Sequence, residues 1–463
     1  MGRSSTTRRG PLPQPTVRAD DPHLTRFAGV LPFVHFCEAL DLPLLLSHVA
    51  APVGRVRVHS PARVLYAFLI ASVVGTARLA HLDWFDGDVI MLKLLRLASW
   101  PVRQVFSRAL AGVPDVGVHQ LLNITTGLGL RSIRGATELV LDFDSTALVC
   151  FGQQEKAEFG YCGKGRNRRR HYPLVCSVAG SRAVIHAKYR SGEGIDEGEA
   201  IAFFKESVDR VRARMPGVVI RIRADAGFWS NKTCAWLLEQ KLPFAFSLPL
   251  RPAVKLLAWT AEFKPVDDVE RVPAEPGEDD EDDDEGLEVA EISGEALGMN
   301  PKLRAIVIRR RLHDSKAPPA GKKVEQDPDH RYQVIVTSLD WEPVDVWRFY
   351  NDRGDCERVF KTAKQALSLG NLVSHDYRAN EVAFHLRLIA YNADILFQQE
   401  AEAAAVAEHR PVTRMGIKAR QSRLYVLAGR LLREHDHWVL RLPASKKVAA
   451  LWAFYAPVRG PAG

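Results

Sequence analysis

Between Leu24 and about Gly135 the apolar residues cluster at helical spacing, as in FAGVLPFVHFCEAL (Phe27 to Leu40) and VLYAFLIASVV (Val64 to Val74). This part of the chain is expected to be helical. SWPVRQVFSRALAGV (Ser99 to Val113) reads as a further helix, with Ser99 as its cap, Pro101 in its first turn, and Arg103 and Arg108 on its outer side. It fits the second helix of a helix-turn-helix and, equally, an ordinary amphipathic helix. From Glu138 the texture changes to strands: ELVLDFDST, YPLVCSVAG and AVIHAKYR. The helical run GEAIAFFKESVDRVRARM follows, then the strand VVIRIRADAGF, the helix NKTCAWLLEQK and the strand FAFSLPL. That order predicts an α/β fold with a mixed sheet flanked by helices.

Residues 251–330 interrupt this pattern with several prolines, an acidic run and strand-like pieces such as RAIVIRRRL. RYQVIVTSLD (331–340) returns to strand character. A long helix is expected from about Pro343, then another over EVAFHLRLIAYNADILFQQEAEAAAV, and a basic helical tail (GIKARQSRLYVLAGRLLREHDHW). No internal repeat is visible. The expected organisation is a basic disordered tail (1–22), a helical DNA-binding domain (23–135), a catalytic domain in two pieces (136–250 and 331–400), an insertion carrying an acidic loop (251–330), and a helical C-terminal region (401–463).

Composition changes this picture in two respects. Of 463 residues, 46% are apolar and 25% charged, so a large core is available and disorder of the whole chain is excluded. The net charge of +8 includes the run Glu278 to Glu285 (EDDEDDDE); without it the rest of the chain carries about +16, which favours a polyanionic partner such as nucleic acid. None of the six cysteines forms a Cys-x-x-Cys pair or sits at zinc spacing with histidines, so they are expected as free thiols in a reducing compartment. The N-terminus lacks the apolar core of a signal peptide. The longest apolar run, Val64 to Ala77, contains Ser72, Gly75 and Thr76 and is too short to span a bilayer. A cytoplasmic protein that associates with the nucleoid, and not with membrane, is expected.

Three carboxylate segments carry the candidate chemistry. Asp142 and Asp144 alternate on one face of the strand LVLDFDST, among apolar neighbours where a carboxylate costs energy unless it is paired or ligating. Asp225 ends the strand VVIRIRAD just before Ala226-Gly227, the place where open sheets usually carry sites. In VWRFYNDRGDCERVFKTAK, Tyr350, Arg353, Glu357 and Lys364 fall within about a 60° sector over about 21 Å if one helix runs through the segment. Lys361 lies near that face. Hard carboxylate oxygens drawn from different elements suit magnesium-assisted phosphoryl transfer. The basic stretch FGYCGKGRNRRRHYPLV, with Lys164, Arg166, Arg168, Arg169 and Arg170, reads as a loop or hairpin able to hold DNA.

The spacing Tyr-x2-Arg-x3-Glu-x6-Lys, together with LDFDST, RADAGF and HDYRANEVAFHLRLIAYN, resembles bacterial insertion-sequence transposases of the DDE class, whose catalytic domain is ribonuclease H-like. The resemblance implies Asp144, Asp225 and Glu357 as the metal-binding triad. It implies two magnesium ions, for which manganese can substitute. It implies Tyr350, Arg353 and Lys364 as contacts to DNA, here joined by Lys361, Arg168, Arg169 and Arg170. The 132 residues between Asp225 and Glu357 leave room for the mainly β insertion that it also implies. The implied partners are double-stranded DNA, as terminal inverted repeats and as target, and a second copy of the chain in a synaptic dimer. Asp144 is preferred to Asp142 because Ser145-Thr146 follow it, as in the family pattern. The competing readings are a nuclease of the same fold and an inactive, domesticated DNA-binding derivative.

Overall fold

The computed structural model describes residues 16, 18, 20–50, 58–133, 135–163, 166–266, 285–311 and 330–458. Most of the N-terminal tail, Lys164 and the acidic run up to residue 284 lie outside the described residues.

After the two-residue strand β1 (Leu24–Thr25), the N-terminal region is helical: α1 (Leu31–Ala39), α2 (Leu42–Ser47), α3 (Pro61–Val73), α4 (Val89–Leu95), α5 (Arg103–Ala111) and α6 (Asp115–Arg131). Ser60 caps α3 by accepting from the Arg63 amide, with Pro61 in the first turn, where its missing N–H costs nothing. The Ser99 cap is not found. Helix α5 starts at Arg103 behind Val102, whose backbone is extended, and the Ser99 hydroxyl lies 3.4 Å from His59 Nε2. Arg103 pairs with Asp83.

The sheet region follows as β2 (Glu138–Ser145), β3 (Leu148–Val149), β4 (Glu158–Tyr161), β5 (Asn167–His171), β6 (Leu174–Val178), β7 (Val184–Lys188), α7 (Glu197–Arg212), β8 (Val219–Ala224), α8 (Asn231–Glu239), β9 (Phe244–Ser247), α9 (Pro252–Trp259), β10 (Lys264–Pro265), β11 (Glu285–Ser293), β12 (Arg304–Arg311) and β13 (His330–Thr337). Strands β7-β6-β2-β8-β9 are neighbours in that order. The first three are antiparallel, and β8 and β9 run parallel to β2. In chain order this is 3-2-1-4-5, a ribonuclease H-like sheet. The strands of 251–330 do not make a sheet of their own. β13, β12, β11 and β10 continue the same sheet outward from β9, giving nine strands.

Two helices cover one face of the sheet. Phe143 of β2 packs there against Phe203 and Phe204 of α7, and Leu237 of α8 joins the same core. Asp196 and Ser230 cap these helices through the amides of Glu199 and Thr233. The other face meets α10 (Pro343–Asn351), α11 (Gly354–Ala366) and α12 (Tyr377–Ala407). Helix α12 is buried on nearly all sides from Val382 to Phe397, as expected of a helix with no polar stripe. Its Asn392 accepts from the Val184 amide of edge strand β7 at 3.0 Å and donates to the Val184 carbonyl at 2.6 Å and the Thr125 carbonyl of α6 at 3.0 Å.

Beyond residue 401 the chain is not simply helical. The short α13 (Ile417–Arg420) leads into a hairpin, β14 (Gly429–Glu434) and β15 (His437–Arg441), before α14 (Lys446–Tyr455). Strand β14 pairs with β1, and Tyr425 and Tyr455 pack on Phe33 and Phe397, so both ends of the described chain close one core. Arg420 and Asp394 form a buried ion pair beneath it, and the Tyr425 hydroxyl donates to Asp394 at 2.6 Å. All six cysteines are free. Among the described residues no helix is long and apolar enough to cross a membrane.

Candidate active site

The parallel pair β2–β8 sits where the chain changes direction in the sheet, with antiparallel neighbours leading away on one side and parallel ones on the other. The last paired residues are Phe143 and Ala224. Asp144 and Asp225 each follow by one residue, so the register alone brings both carboxylates to the same end of two adjacent strands, about 4.8 Å apart in the pairing direction. This is the end at which open α/β sheets bind ligands.

One step back in register, Asp142 stands opposite Arg223. Both are buried. Arg223 Nε lies 2.6 Å from Asp142 Oδ1 and Nη2 lies 2.8 Å from Oδ2, a two-pronged pair. The third guanidinium nitrogen donates to the Phe349 carbonyl at 2.5 Å. Asp142 is thereby committed to holding α10 against the sheet. Asp144, one residue beyond the last paired position, stands at the open end, whereas Asp142 is paired with Arg223. Arg223 had gone unremarked in the sequence. Its signal was an arginine inside an apolar strand, two residues before Asp225, just as Asp142 is two before Asp144.

Asp144 Oδ1 accepts from the Ser145 amide at 2.8 Å and lies 3.5 Å from Arg353 Nη2. Burial pushes the Asp144 carboxyl up to about 7; Arg353 opposes this, and the charges of Asp225 and Glu357 add to it. Asp225 is raised by burial as well, against Arg353 and an amide hydrogen bond from Gly227 at 3.0 Å. Burial works to lower the Arg353 pKa, but Asp144, Tyr350 and Asp225 together outweigh it and the net shift is upward.

The helix face expected through residues 350–364 is broken. Helix α10 ends at Asn351 and α11 begins at Gly354, with Arg353 as its N-cap residue. Asp352-Arg353-Gly354 favours a turn because Asp and Gly are poor interior helix residues. Tyr350 is therefore buried among Trp347, Ala245 and Ile335 rather than presented to solvent, with its hydroxyl in hydrogen-bonding reach of Ser247. Glu357, Lys361 and Lys364 do share one side of α11, at offsets of four and seven residues. The Lys364 ammonium donates to the Ala147 carbonyl at 3.3 Å, and burial lowers its pKa while Asp144 opposes. The Glu357 side chain is 74% exposed, with Oε1 3.6 Å from Arg353 Nη1.

Arg168 and Arg169 are exposed on β5. Arg170 is turned inward. It donates to the carbonyls of Gly192 and Tyr161 and stacks 3.6 Å over the Tyr172 ring. Alternation along β5 puts it on the face opposite Arg169, over Gly160, where a Cβ would lie 2.5 Å from its Nε.

The donor set suits a hard divalent cation: two crowded carboxylates whose charges repel and whose protonation is raised by burial. Asp144 and Asp225 fit such an ion. Among the described residues no three His, Cys, Asp or Glu side chains stand close enough together to hold one. Glu357, on the neighbouring helix α11, is turned toward Arg353.

Among protein-family models, transposase DDE domain group 1 matches residues 16–455. No curated protein is similar enough to match. Among solved structures, the piggyBac transposase synaptic complex with hairpin DNA matches at 12% identity and a TM-score of 0.45, over 87% of this chain and 80% of that one. The Drosophila P element transposase strand transfer complex matches at 13% identity and a TM-score of 0.23, over 41% and 38%. At these scores neither likeness bears on the site.

Proposed function

The chain belongs to the transposase DDE domain group 1 family, and from that premise we propose that it cuts and rejoins DNA strands at the ends of an insertion sequence, with Asp144, Asp225 and Glu357 as the metal-binding triad. The observation that carries this reading is the adjacency of Asp144 and Asp225 at the ends of parallel strands β2 and β8. Magnesium ions, or manganese in their place, supply Lewis acidity for in-line displacement when bound. Asp144 and Asp225 hold the cationic charge beside the scissile phosphate. Glu357 completes the set by turning from Arg353 toward them. Arg353 balances the carboxylates until then. Lys361, Lys364, Arg168 and Arg169 take the phosphate backbone of the transposon end. Tyr350 acts from beneath, by holding α10 on β9. The partners on this reading are inverted-repeat and target duplexes held by a homodimer, in the cytoplasm at the nucleoid.

The test is Asp225→Asn in the full chain. Metal-dependent strand cleavage is expected to vanish while binding to transposon-end DNA persists. Cleavage at the normal rate would show the triad to be wrong. A strand-transfer assay with pre-cut ends separates a transposase from a nuclease of the same fold, which cuts without joining. An inactive derivative would cleave no DNA with any metal.

A further inference from the structure

Between Ser145 and its partner Leu174 the chain leaves the main sheet at the carboxylate end and builds the small sheet β3-β5-β4. The root of this sheet is fixed. His171 Nδ1 is 2.5 Å from the Tyr189 hydroxyl and its Nε2 is 2.8 Å from the Glu155 carbonyl, and Arg170 is stacked and hydrogen-bonded as described. The outer part differs in kind. Phe159 pairs with Arg169 and Tyr161 with Asn167, so these four side chains share one face of the β4–β5 hairpin. All four are exposed, Phe159 at 73% and Tyr161 at 60%, and the Arg169 guanidinium stands 5.8 Å from the Phe159 ring centre. Two aromatic rings held in water on an anchored hairpin, with a cation beside them, have the make-up of a binding surface rather than of a solvated tip.

We propose that this face is a stacking platform for unpaired DNA bases next to the cleaved bond. The proposal rests on the reading of the Asp144–Asp225 end as the active site. Ring faces accept any base, and the arginine beside them suits the backbone that carries it. The hairpin follows the strand that holds Asp144, and Lys364, whose charge acts on both Asp144 and Cys162 next to Tyr161, reaches the Ala147 carbonyl at its root, which ties the hairpin to the carboxylate end. A protein partner fits less well. Two rings offer a few hundred Å² at most, short of the roughly 800 Å² per side of a stable interface.

The experiment measures affinity of the full chain, in chelator, for a blunt duplex and for the same duplex with a four-nucleotide single-stranded tail carrying 2-aminopurine. The wild type is expected to bind the tailed DNA more tightly and to quench the fluorophore. Phe159→Ala and Tyr161→Ala should each lose about 5- to 100-fold of affinity for the tailed DNA. Phe159→Leu should not restore it, because leucine is apolar but cannot stack. Unchanged preference in the double alanine variant would overturn the platform, as would full rescue by leucine or a change in sedimentation showing a contact between copies. If the wild type binds neither DNA and cleaves none with metal, the active-site reading fails instead.

Discussion

At the scale of single residues, two carboxylates two positions apart have opposite roles. Asp142 is an interior charge matched by Arg223. Replacing Arg223 with Met strands that charge, and unfolding in denaturant should show a loss of about 3–5 kcal/mol. Asp142→Leu added to Arg223→Met should recover most of it; no recovery would mean that the Phe349 contact matters more than the charge. Asp144 is the reverse case, a carboxyl pushed up to about 7 in the folded state. Between about pH 4, its ordinary value, and about pH 7, the folded chain binds the extra proton, so without metal stability is greatest below that window and falls as pH rises through it. Asp144→Asn should flatten this slope, leaving the part that the raised Asp225 carboxyl contributes, and be more stable than the wild type at pH 8, by on the order of a few kcal/mol. An identical pH profile in the variant would place the titration elsewhere. Period-two alternation in LDFDST correctly put both aspartates on one face. It could not divide their roles, because the partner that divides them comes from a strand 81 positions later.

At the scale of elements, the turn at Asp352-Arg353-Gly354 is the departure that matters most. The apolar spacing runs through the segment as one helix, and Asp352 and Gly354 weaken it only locally. The break follows from tertiary demands: α10 is pinned by Arg223 at the Phe349 carbonyl and by Tyr350 on β9, while α11 packs Cys356 against Ser177 of β6. No helical wheel contains those contacts. The β14–β15 hairpin was hidden for another reason. Its two-residue loop places His435 at φ 54°, left-handed, where a glycine or asparagine would have announced a turn. Strands with clear alternation or apolar runs, β2, β6 to β9, β12 and β13, were legible throughout. A prediction belongs here also. Asn392 of α12 satisfies both backbone groups of Val184 on the edge strand β7, and Asn392→Leu leaves them buried and unpaired. A loss of about 2–4 kcal/mol in chemical unfolding is expected. Wild-type stability in this variant would show that water replaces the amide.

At the scale of the whole molecule, charge and closure dominate. The basic excess outside the acidic run predicts binding governed by phosphate contacts. Affinity for duplex DNA should fall by about 10³-fold or more between 50 and 200 mM salt if six or more phosphates are engaged, and fluorescence anisotropy over a salt series reads it directly. A flat salt response would contradict a basic DNA-binding surface. The closure is the pairing of Thr25 with Gly429, backed by Tyr425 and Tyr455 on the α1 and α12 rings. It sets a schedule for biosynthesis. At roughly 5–20 residues per second, the first strand waits about 20–80 s for the ribosome to deliver its partner. Through that interval the apolar flank of α1 has no lid, and the nascent chain depends on its surroundings to stay unaggregated. A chain cut short before Gly429 lacks the partner of Thr25 and the Tyr455 ring, so it is expected to leave the α1 flank uncovered and to unfold more readily than the full chain.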